Sequence, residues 1–275
     1  MSIKKIEMIN FRNHEDTAFD FSPGINIIWG ENGSGKTSII EAVHILSNGK
    51  SFKTNRLIET ITSNKKEAIV KAVFGDKNMV FHQTKKPSKK IKINNIEKST
   101  KDLVGKNPTV LVSPEEEKIT KGPHSERRRF FDRVFSNISK TYFNNLINYS
   151  TALKNRNTLL KQQKDKHEIE IWNNPLIKYG CQLWEERKLL HSKFNKNIEG
   201  VCGGYNKKVD ITVSLDCPSD TSRNRFKKHL NEKLEKELFL GRTLSGPHLD
   251  KYTTNFNNKD LRVYGSQGEH KLTFL

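Results

Sequence analysis

Alternating apolar and polar positions dominate the first 112 residues and predict a series of short strands. These segments are rich in β-branched residues and are separated by turn residues. They are SIKKIEMINF, TAFDF, GINIIWG, EAIVKAVFG, MVFHQ and KIKINN. The run INIIW is continuously apolar, which predicts a strand buried on both faces. The first part of the chain is therefore expected to be strand-rich.

The hydrophobic period changes after residue 112. At VLVSPEEEKI a strand is expected to give way to a helix, with Ser113 as its cap, Pro114 at the first helical position and Glu116 completing a capping box. Residues 125–200 carry long amphipathic helical patterns interrupted near NNPL. Strand character returns in KKVDITVSLD, helical character follows in NRFKKHLNEKLEKELFLG, and a polar segment leads to YGSQGEHKLTFL. The pattern predicts a helical arm inserted into one head.

One glycine-rich loop lies between the INIIW run and the helical pattern TSIIEAVHIL. It matches G-x-x-x-x-G-K-[ST] through Gly30, Glu31, Asn32, Gly33, Ser34, Gly35, Lys36 and Thr37. Strand, loop and helix come in the order that a phosphate-binding loop requires, which disfavours the alternative of a chance match in a glycine-rich turn. The sequence therefore predicts a nucleotide-binding site.

The chemistry of such a loop assigns a role to each residue type. Glycines adopt positive φ and let successive amides and the helix N-terminus converge on phosphate oxygens. Lys36 is expected to reach the β- and γ-phosphates of ATP, and Thr37 to offer its hydroxyl to Mg²⁺. The adjoining Ser38 belongs to the same predicted site.

Composition and charge limit the classes of molecule that the chain is expected to bind. The chain has 275 residues, 33% of them hydrophobic, which suffices for one large domain or two modest ones. A net charge of +18 attracts polyanions, with nucleic acid favoured over an anionic membrane surface. Residues 81–106 hold eight lysines against two acids, and SERRRFFDR and LKNRNTLLKQQKDK add basic stripes on predicted helices. These are candidate contacts to DNA phosphates, or else solvated faces.

Other signals indicate an intracellular chain. The N-terminal sequence lacks the apolar core of a secretory signal, and no run reaches the apolar length of a membrane span. Cys181, Cys202 and Cys217 are odd in number and lack C-x-x-C spacing, which favours reduced structural thiols over metal ligands. A cytoplasmic, nucleoid-associated protein is expected, with no membrane partner.

The ordered motifs resemble those of the RecF family of bacterial DNA replication and repair proteins. The resemblance extends from NFRNH through GENGSGKTSIIEAVHILSNGKSFKT and SPEEEKITKGPHSERRRFFDRVF to YSTALKNRNTLL, SGPHLD and YGSQGEH. It implies an α/β fold: a P-loop head of the ABC type, with a β-rich lobe and an inserted helical arm. The implied division is head residues 1–114, arm residues 115–205 and head residues 206–275.

The resemblance also implies further site residues. SQGE occupies the place of the ABC signature, which would cover the γ-phosphate held by a second protomer, with Ser266 as donor and Gly268 permitting close approach. Without the family resemblance, the pattern of SQGE predicts only a turn before a helix. Arg12 resembles the family's nucleotide-facing arginine, with exposed solvation as the alternative. One loop and one signature per chain imply an ATP-dependent homodimer.

The implied function is binding of single-stranded, gapped or junction DNA, with RecR and RecO as partners, in support of recombinase loading and SOS induction. An SMC-like DNA-organising ATPase, an ABC transporter subunit and a P-loop kinase are the alternatives. The roughly 230 residues between the loop and SQGE leave no room for the long heptad coil of an SMC protein. A kinase would need no signature segment.

Several positions depart from the family pattern. Leu249 stands where the family's Gly-Pro-His segment continues with arginine, and Glu115 falls at a magnesium-sensing loop of ABC heads but could serve only as a cap. The acidic motif that follows the signature in related heads is not found, and Asp216 reads better as an ordinary strand end. The C-terminal part of the head is therefore expected to be missing, and ATP hydrolysis to be poor or absent, whereas a complete version would be a weak ATPase.

Overall fold

The computed structural model describes residues 2–86, 88–112, 118–205 and 209–274. The chain divides into two compact units, residues 1–111 and residues 112–275. The helix start expected at Ser113, Pro114 and Glu116, and the candidate Glu115, lie outside the described residues.

The first unit contains a six-stranded antiparallel sheet in the order β2-β1-β3-β4-β5-β6. Helix α1 packs against this sheet, and the core lies between them. The strands are β1 (Ile3–Phe11), β2 (His14–Asp20), β3 (Glu67–Phe74), β4 (Lys77–Thr84), β5 (Lys89–Ile93) and β6 (Ile96–Lys98), and the helices are α1 (Lys36–Asn48), the 3₁₀ turn Leu57–Thr60 and α2 (Thr100–Leu103).

The predicted alternation determines which face of the sheet is buried. In β3, Ala68, Val70, Ala72 and Phe74 are buried and the intervening residues are more exposed. Val70 pairs with Phe81 of β4, so buried positions of the two strands meet on the same face. The period-2 pattern of the sequence is therefore sufficient to predict these strands and their buried face.

Two hairpins close on Asn-Asn pairs, of which the first was wrongly included at the end of the predicted strand KIKINN. Asn94 and Asn95, between β5 and β6, have φ of 49° and 64°, and Asn257 and Asn258 have φ of 48° and 61°. Positive φ at both central residues is the geometry of a two-residue hairpin turn, and asparagine tolerates it well. The short strands that follow these turns, Ile96–Lys98 and Lys259–Asp260, were missed because they are too short to show a period.

The interpretation of INIIW as a strand buried on both faces is wrong. Residues 25–30 form no strand, and Ile25, Ile27 and Trp29 are 91%, 81% and 87% exposed, whereas Ile28 packs against the core of its unit. An apolar run becomes a central strand only when neighbouring strands pair with it. No strand in the described ranges pairs with residues 25–30. The strand expected at residues 110–112 is also not formed, and Val110 is 91% exposed.

The second unit combines long helices with a three-stranded antiparallel sheet in the order β7-β8-β9. Its helices are α3 (Lys118–Lys121), α4 (His124–Ile138), α5 (Lys140–Lys161), α6 (Lys166–Ile171), α7 (Asn173–Tyr205), α8 (Arg223–Leu240), the 3₁₀ turn Pro247–Leu249, α9 (Leu261–Tyr264) and α10 (Gln267–Phe274), and its strands are β7 (Ile211–Asp216), β8 (Lys251–Phe256) and β9 (Lys259–Asp260). The helical pattern predicted for residues 125–200 matches α4 to α7, which are separated at Ser139, at residues 162–165 and at Trp172, the last beside the interruption predicted near NNPL.

An aromatic core joins the helices and the small sheet of the second unit. Phe131 of α4 stacks on Tyr252 of β8 with ring centroids 4.2 Å apart, and Trp184 of α7 packs on Phe226 of α8 at 4.9 Å. All four side chains are almost completely buried. The sheet and helices of this unit therefore share one hydrophobic core.

A buried ion pair fastens the end of α5 to α8. Arg156 and Glu237 are both fully buried, and Nη2 of Arg156 lies 2.7 Å from Oε2 of Glu237. Arg156 also donates from Nε to Asn173 Oδ1 and from Nη1 to Thr243 Oγ1. The guanidinium thus connects α5, α7, α8 and the segment after α8.

We predict that Arg156→Ala lowers the free energy of unfolding by about 3–5 kcal/mol, because it leaves the Glu237 carboxylate buried without its cation. Urea unfolding followed by circular dichroism measures this loss. The double variant Arg156→Met/Glu237→Met removes both charges and should be less destabilised than the single variant. A loss below about 1 kcal/mol for Arg156→Ala, the range of an exposed pair, would contradict the prediction.

Candidate nucleotide-binding site

The glycine-rich loop closes tightly against the turn between β1 and β2. Gly35 immediately precedes α1 and has φ of 93°, a conformation that favours glycine. A Cβ at this position would lie 2.5 Å from His14 Nε2 and 2.7 Å from Asn13 Oδ1. Only glycine therefore fits between the loop and this turn.

Lys36 folds back across the loop. Its Nζ donates to the carbonyl oxygens of Gly30, at 2.8 Å, and Glu31, at 2.6 Å. Both acceptors are neutral, and Lys36 makes no ion pair with a carboxylate in the described part of the chain. The ammonium charge is thus held over the loop without being neutralised.

The start of α1 is left open to an anion. No side chain caps it, and its first turn contains no acidic residue. Thr37 is exposed in this turn, whereas Ser38 is buried and donates from Oγ to Asn13 Oδ1 at 3.4 Å. Free amides at a helix N-terminus favour bound negative charge. The remaining loop residues, Glu31, Asn32, Gly33 and Ser34, are exposed.

Two residues that support the loop were missed by the sequence analysis. Asn13 donates from Nδ2 to the carbonyl of Gly33 at 3.0 Å, and His14 Nε2 lies 3.2 Å from the carbonyl of Gly35, to which it donates in the Nε2–H tautomer. Both belong to the NFRNH motif, in which only Arg12 was singled out. The signal was the presence of polar residues in a hairpin turn, and only the fold reveals what they contact.

Arg12 is half-buried, and all three of its guanidinium nitrogens donate to protein acceptors. The alternative interpretation, an exposed side chain that contacts only solvent, is therefore wrong. Its Nε and Nη2 donate to the two carboxylate oxygens of Glu41 at 2.9 and 2.6 Å, and Nη1 donates to the carbonyl of Glu59. Glu41 is fully buried in α1. Arg12 also has φ of 56°, which is uncommon for a residue other than glycine. A contact between Arg12 and nucleotide stays a prediction.

The signature segment begins α10 in the second unit. Ser266 and Glu269 form reciprocal bonds: Glu269 N donates to Ser266 Oγ at 3.3 Å, and Ser266 N donates to Glu269 Oε2 at 2.7 Å. The bond from the Ser266 amide lowers the pKa of Glu269. Ser266 and Gly268 are exposed. SQGE therefore caps a helix, and the Ser266 hydroxyl serves there as an acceptor.

The Gly-Pro-His segment is fixed to the helical core of the second unit. Arg187 of α7 is buried and donates from Nη1 to the carbonyl of Pro247 at 2.6 Å and to Asp250 Oδ2 at 2.7 Å. Trp184 Nε1 donates to the other oxygen of Asp250 at 3.0 Å. Leu249, at the position where the family has arginine, is 46% exposed and takes no part in this network.

Part of the predicted basic surface is internal. Arg127 is 3% exposed and donates to the carbonyls of Tyr252 and Gly122, while Arg128 donates to the carbonyl of Asp250. Arg156 is buried in its ion pair. Neither of the two interpretations of SERRRFFDR and LKNRNTLLKQQKDK, a DNA contact or a solvated face, therefore holds for Arg127 and Arg156. An arginine on an amphipathic helix has the same sequence signature whether it faces solvent or a buried acceptor.

The three cysteines are free thiols. Cys181 and Cys202 are buried, and Cys217 is half-buried. Burial raises the pKa of Cys181 to about 11, which disfavours its reactive thiolate. In the ranges that the structure describes, no cluster of three or more His, Cys, Asp or Glu side chains could hold a metal ion, and no helix is long and apolar enough to cross a membrane.

Comparisons with known proteins identify the family. The model of an AAA domain family matches residues 5–257. The RecF proteins of Alkaliphilus oremlandii and Clostridium novyi, each named DNA replication and repair protein RecF, are 34% identical over the whole chain, which covers 80% and 79% of their lengths. The chain belongs to the RecF family.

Solved structures agree with this assignment. A structure described as the recombination mediator protein RecF-ATP in the RecFOR pathway is 29% identical, covers 99% of the chain and superposes with a TM-score of 0.89. The chain covers 78% of that RecF protein. An Smc head from Pyrococcus furiosus shares the fold at 17% identity and a TM-score of 0.52. The predicted α/β P-loop ATPase head is confirmed.

His248 gives this RecF-family chain a pH-dependent term in its stability. Its Nδ1 accepts from the Tyr149 hydroxyl at 2.6 Å, its Nε2 lies 3.2 Å from the carbonyl of Thr243, and burial lowers its pKa to about 4. An unfolded histidine titrates near pH 6.5, so the contribution of this neutral His248 is complete above that pH. It is lost as the pH falls towards 4, because the unfolded chain then binds the proton more readily.

We predict that wild-type stability falls by about 3 kcal/mol more than that of His248→Gln between pH 7 and pH 4. Urea unfolding at each pH measures the difference. His124 and His191 also have lowered pKa values, so the variant retains some decline. If the free energies of unfolding of the two proteins change in parallel with pH, the stability contribution assigned to His248 is wrong.

Proposed function

We propose that this chain binds ATP at the loop Gly30–Thr37, with Lys36 on the β- and γ-phosphates and Thr37 on Mg²⁺. The observation that carries the proposal is the Lys36 ammonium held by the carbonyls of Gly30 and Glu31 above an uncapped helix start. The loop fits a triphosphate because it provides free amides and a positive helix end, with no acid in the first helical turn. Ser38 and Arg12 are proposed to border the same site.

Bound ATP would exchange these internal contacts for phosphate contacts. Lys36 would move from neutral carbonyls to phosphoryl oxygens, which form stronger, charge-assisted bonds. Mg²⁺ would supply charge compensation between the phosphates, with the exposed Thr37 hydroxyl as its ligand from the protein. Asn13 and His14 would keep the loop backbone in place through the carbonyls of Gly33 and Gly35.

ATP is further proposed to join two copies of the chain, with SQGE of one copy covering the nucleotide of the other. Gly268 supports this role because nothing in the described part of the chain requires a glycine there. Its φ is not positive, and a Cβ would meet only Ser266 Oγ, at 3.9 Å, an ordinary contact. Glycine in a helix costs roughly 0.5–1 kcal/mol relative to alanine. A close approach by another molecule would explain its presence.

DNA is the proposed polyanion. Lys85, Lys86, Lys90 and Lys92 lie on or beside the outer hairpins of the first unit, and all four are exposed. Lys89, by contrast, donates to the carbonyl of Gly49, and burial lowers its pKa. Lys92 lies opposite Glu97 across β5 and β6, but none of the four lysines forms an ion pair in the described residues. Exposed lysines of this kind suit sequence-independent phosphate contacts.

The family extends the proposal to partners. A role in the RecFOR pathway, with RecR and RecO as partner proteins and recombinase loading and SOS induction as outcomes, is what membership of the RecF family favours. Binding to gapped or junction DNA and association with the cytoplasmic nucleoid belong to the same proposal. An SMC-like organising role is favoured only by the shared head fold, and an ABC transporter role by no observation in the described residues.

We predict that ATP and Mg²⁺ convert the wild-type chain from monomer to dimer, whereas Lys36→Ala and Gly268→Ala stay monomeric. Size-exclusion chromatography with light scattering measures the mass. Gly268→Ala should be as stable as wild type or slightly more stable, because alanine favours the helix. If Gly268→Ala dimerises normally, the proposed role of SQGE in dimerisation is wrong. If the wild-type chain stays monomeric in ATP, the proposed ATP-dependent dimer is wrong.

We also predict that replacing Lys85, Lys86, Lys90 and Lys92 with glutamine lowers the slope of log affinity against log salt by about 3 on gapped DNA. Fluorescence anisotropy over a salt series measures the slope. The matched four-arginine variant keeps the charges and should keep the slope. Equal slopes for the glutamine and arginine variants would exclude this surface as a DNA contact.

A further inference from the structure

A basic cleft opens on the second unit where α7 and α8 begin. Its volume is about 490 Å³, which lies in the range of ligand sites. The residues that line it come from the first two turns of each helix: Asn174, Pro175, Ile177, Lys178, Tyr179, Arg223, Asn224 and Lys227. We refer to it as the α7–α8 cleft. The lining contains three cations and no acid.

The three cations are exposed and make no ion pair in the described residues. Lys178 lies over the ring of Tyr179, with Nζ 5.3 Å from the centroid, and Arg223 and Lys227 project from the start of α8. Two other cations of α8 are engaged: Lys228 pairs with Glu232 of its own helix, and Lys233 donates to the carbonyl of Leu244. The cleft therefore contains three positive charges that no acidic side chain of the described residues neutralises.

The position of these charges is unfavourable for the isolated helices. A helix N-terminus carries partial positive charge and is stabilised by acids, but the first turns of α7 and α8 contain none. The closest acid before α8, Asp220, is outside the lining and accepts the amide of Ser222. Two positive helix ends and three like charges repel one another unless an anion lies between them. An anionic ligand between the two helix starts would relieve this repulsion.

The floor of the cleft is mostly apolar. Ile177 is buried, and Pro175 and Tyr179 are half-buried. Gly180 lets α7 and α8 approach closely, since a Cβ there would lie 2.7 Å from Cε1 of Phe226. A floor containing an aromatic ring, beneath a cationic rim, suits a ligand that combines phosphate groups with a planar base.

We propose that the α7–α8 cleft binds a single nucleic-acid strand, with backbone phosphates on Lys178, Arg223 and Lys227 and a base or sugar against Tyr179. This site rests on the proposed DNA binding and adds to it a second contact, in the second unit, that does not require ATP. A strand satisfies both parts of the cleft, whereas inorganic phosphate would satisfy only the rim. Contacts of this kind give strong salt dependence and little sequence preference.

The test is fluorescence anisotropy of a labelled dT12 strand with the full chain, without nucleotide, between about 50 and 200 mM salt. The variant Lys178→Gln/Arg223→Gln/Lys227→Gln should bind about 10- to 100-fold more weakly, and its salt slope should fall by about 2. Tyr179→Leu should weaken binding by about 5-fold or more without changing the slope. The control Lys193→Gln/Lys196→Gln/Lys236→Gln removes three exposed charges from the same helices and should change affinity less than twofold.

Each alternative result has a separate meaning. If the cleft variant binds dT12 as the control does, the cleft proposal is overturned while the DNA binding of the hairpin lysines stands. If the wild-type chain binds neither dT12 nor gapped duplex, the proposed DNA function fails together with the cleft. If dTMP or polyglutamate displaces dT12 as effectively as unlabelled dT12 does, the cleft takes a free nucleotide or an acidic polypeptide, and the strand proposal is wrong.

Discussion

The guanidinium of Arg187 is the point through which the second unit is held together. It is fully buried in α7, and besides Pro247 and Asp250 it reaches Asp132 of α4 and the hydroxyl of Tyr142 in α5. A buried cation is tolerated only when its donors are satisfied, so these acceptors must stay where they are. The segment between α8 and β8 is thereby fixed to three helices, and β8, α9 and the signature helix α10 continue from it. The geometry of the signature thus depends on a side chain far from it in sequence.

Buried arginines explain why the charge of this chain is a poor guide to its surface. Arg127, Arg156 and Arg187 all lie in the helical unit and all donate to internal acceptors. Their sequence surroundings are as basic and amphipathic as a DNA-binding face would be. What distinguishes them is the acceptor that another segment brings to them. Most of the exposed residues proposed as DNA contacts are instead lysines, whose charge is compact and strongly hydrated.

The sequence was informative wherever structure is determined by neighbouring residues. The loop at Gly30–Thr37, the alternating strands β1, β3 and β4, and the long helices were predictable because period, glycine and capping chemistry are local. Asn13 and His14 could not be assigned to the loop, since their contacts cross between a hairpin and α1. The α7–α8 cleft was missed for the same reason: Lys178 and Arg223 are 45 residues apart and meet only through helix packing. The strand at INIIW failed because a strand also requires partners, which sequence period does not provide.

The exposed run from Ile25 to Trp29 has a consequence for the solution behaviour of the chain. It is apolar, uncharged and rich in β-branched residues, and it has no strand partner in the described structure. Such a backbone can pair with the same run of a second molecule, so colloidal association should increase with protein concentration. This contact would not depend on nucleotide, and it would be strengthened rather than screened by salts that favour apolar burial. Five residues next to the phosphate-binding loop are therefore expected to promote self-association of the chain.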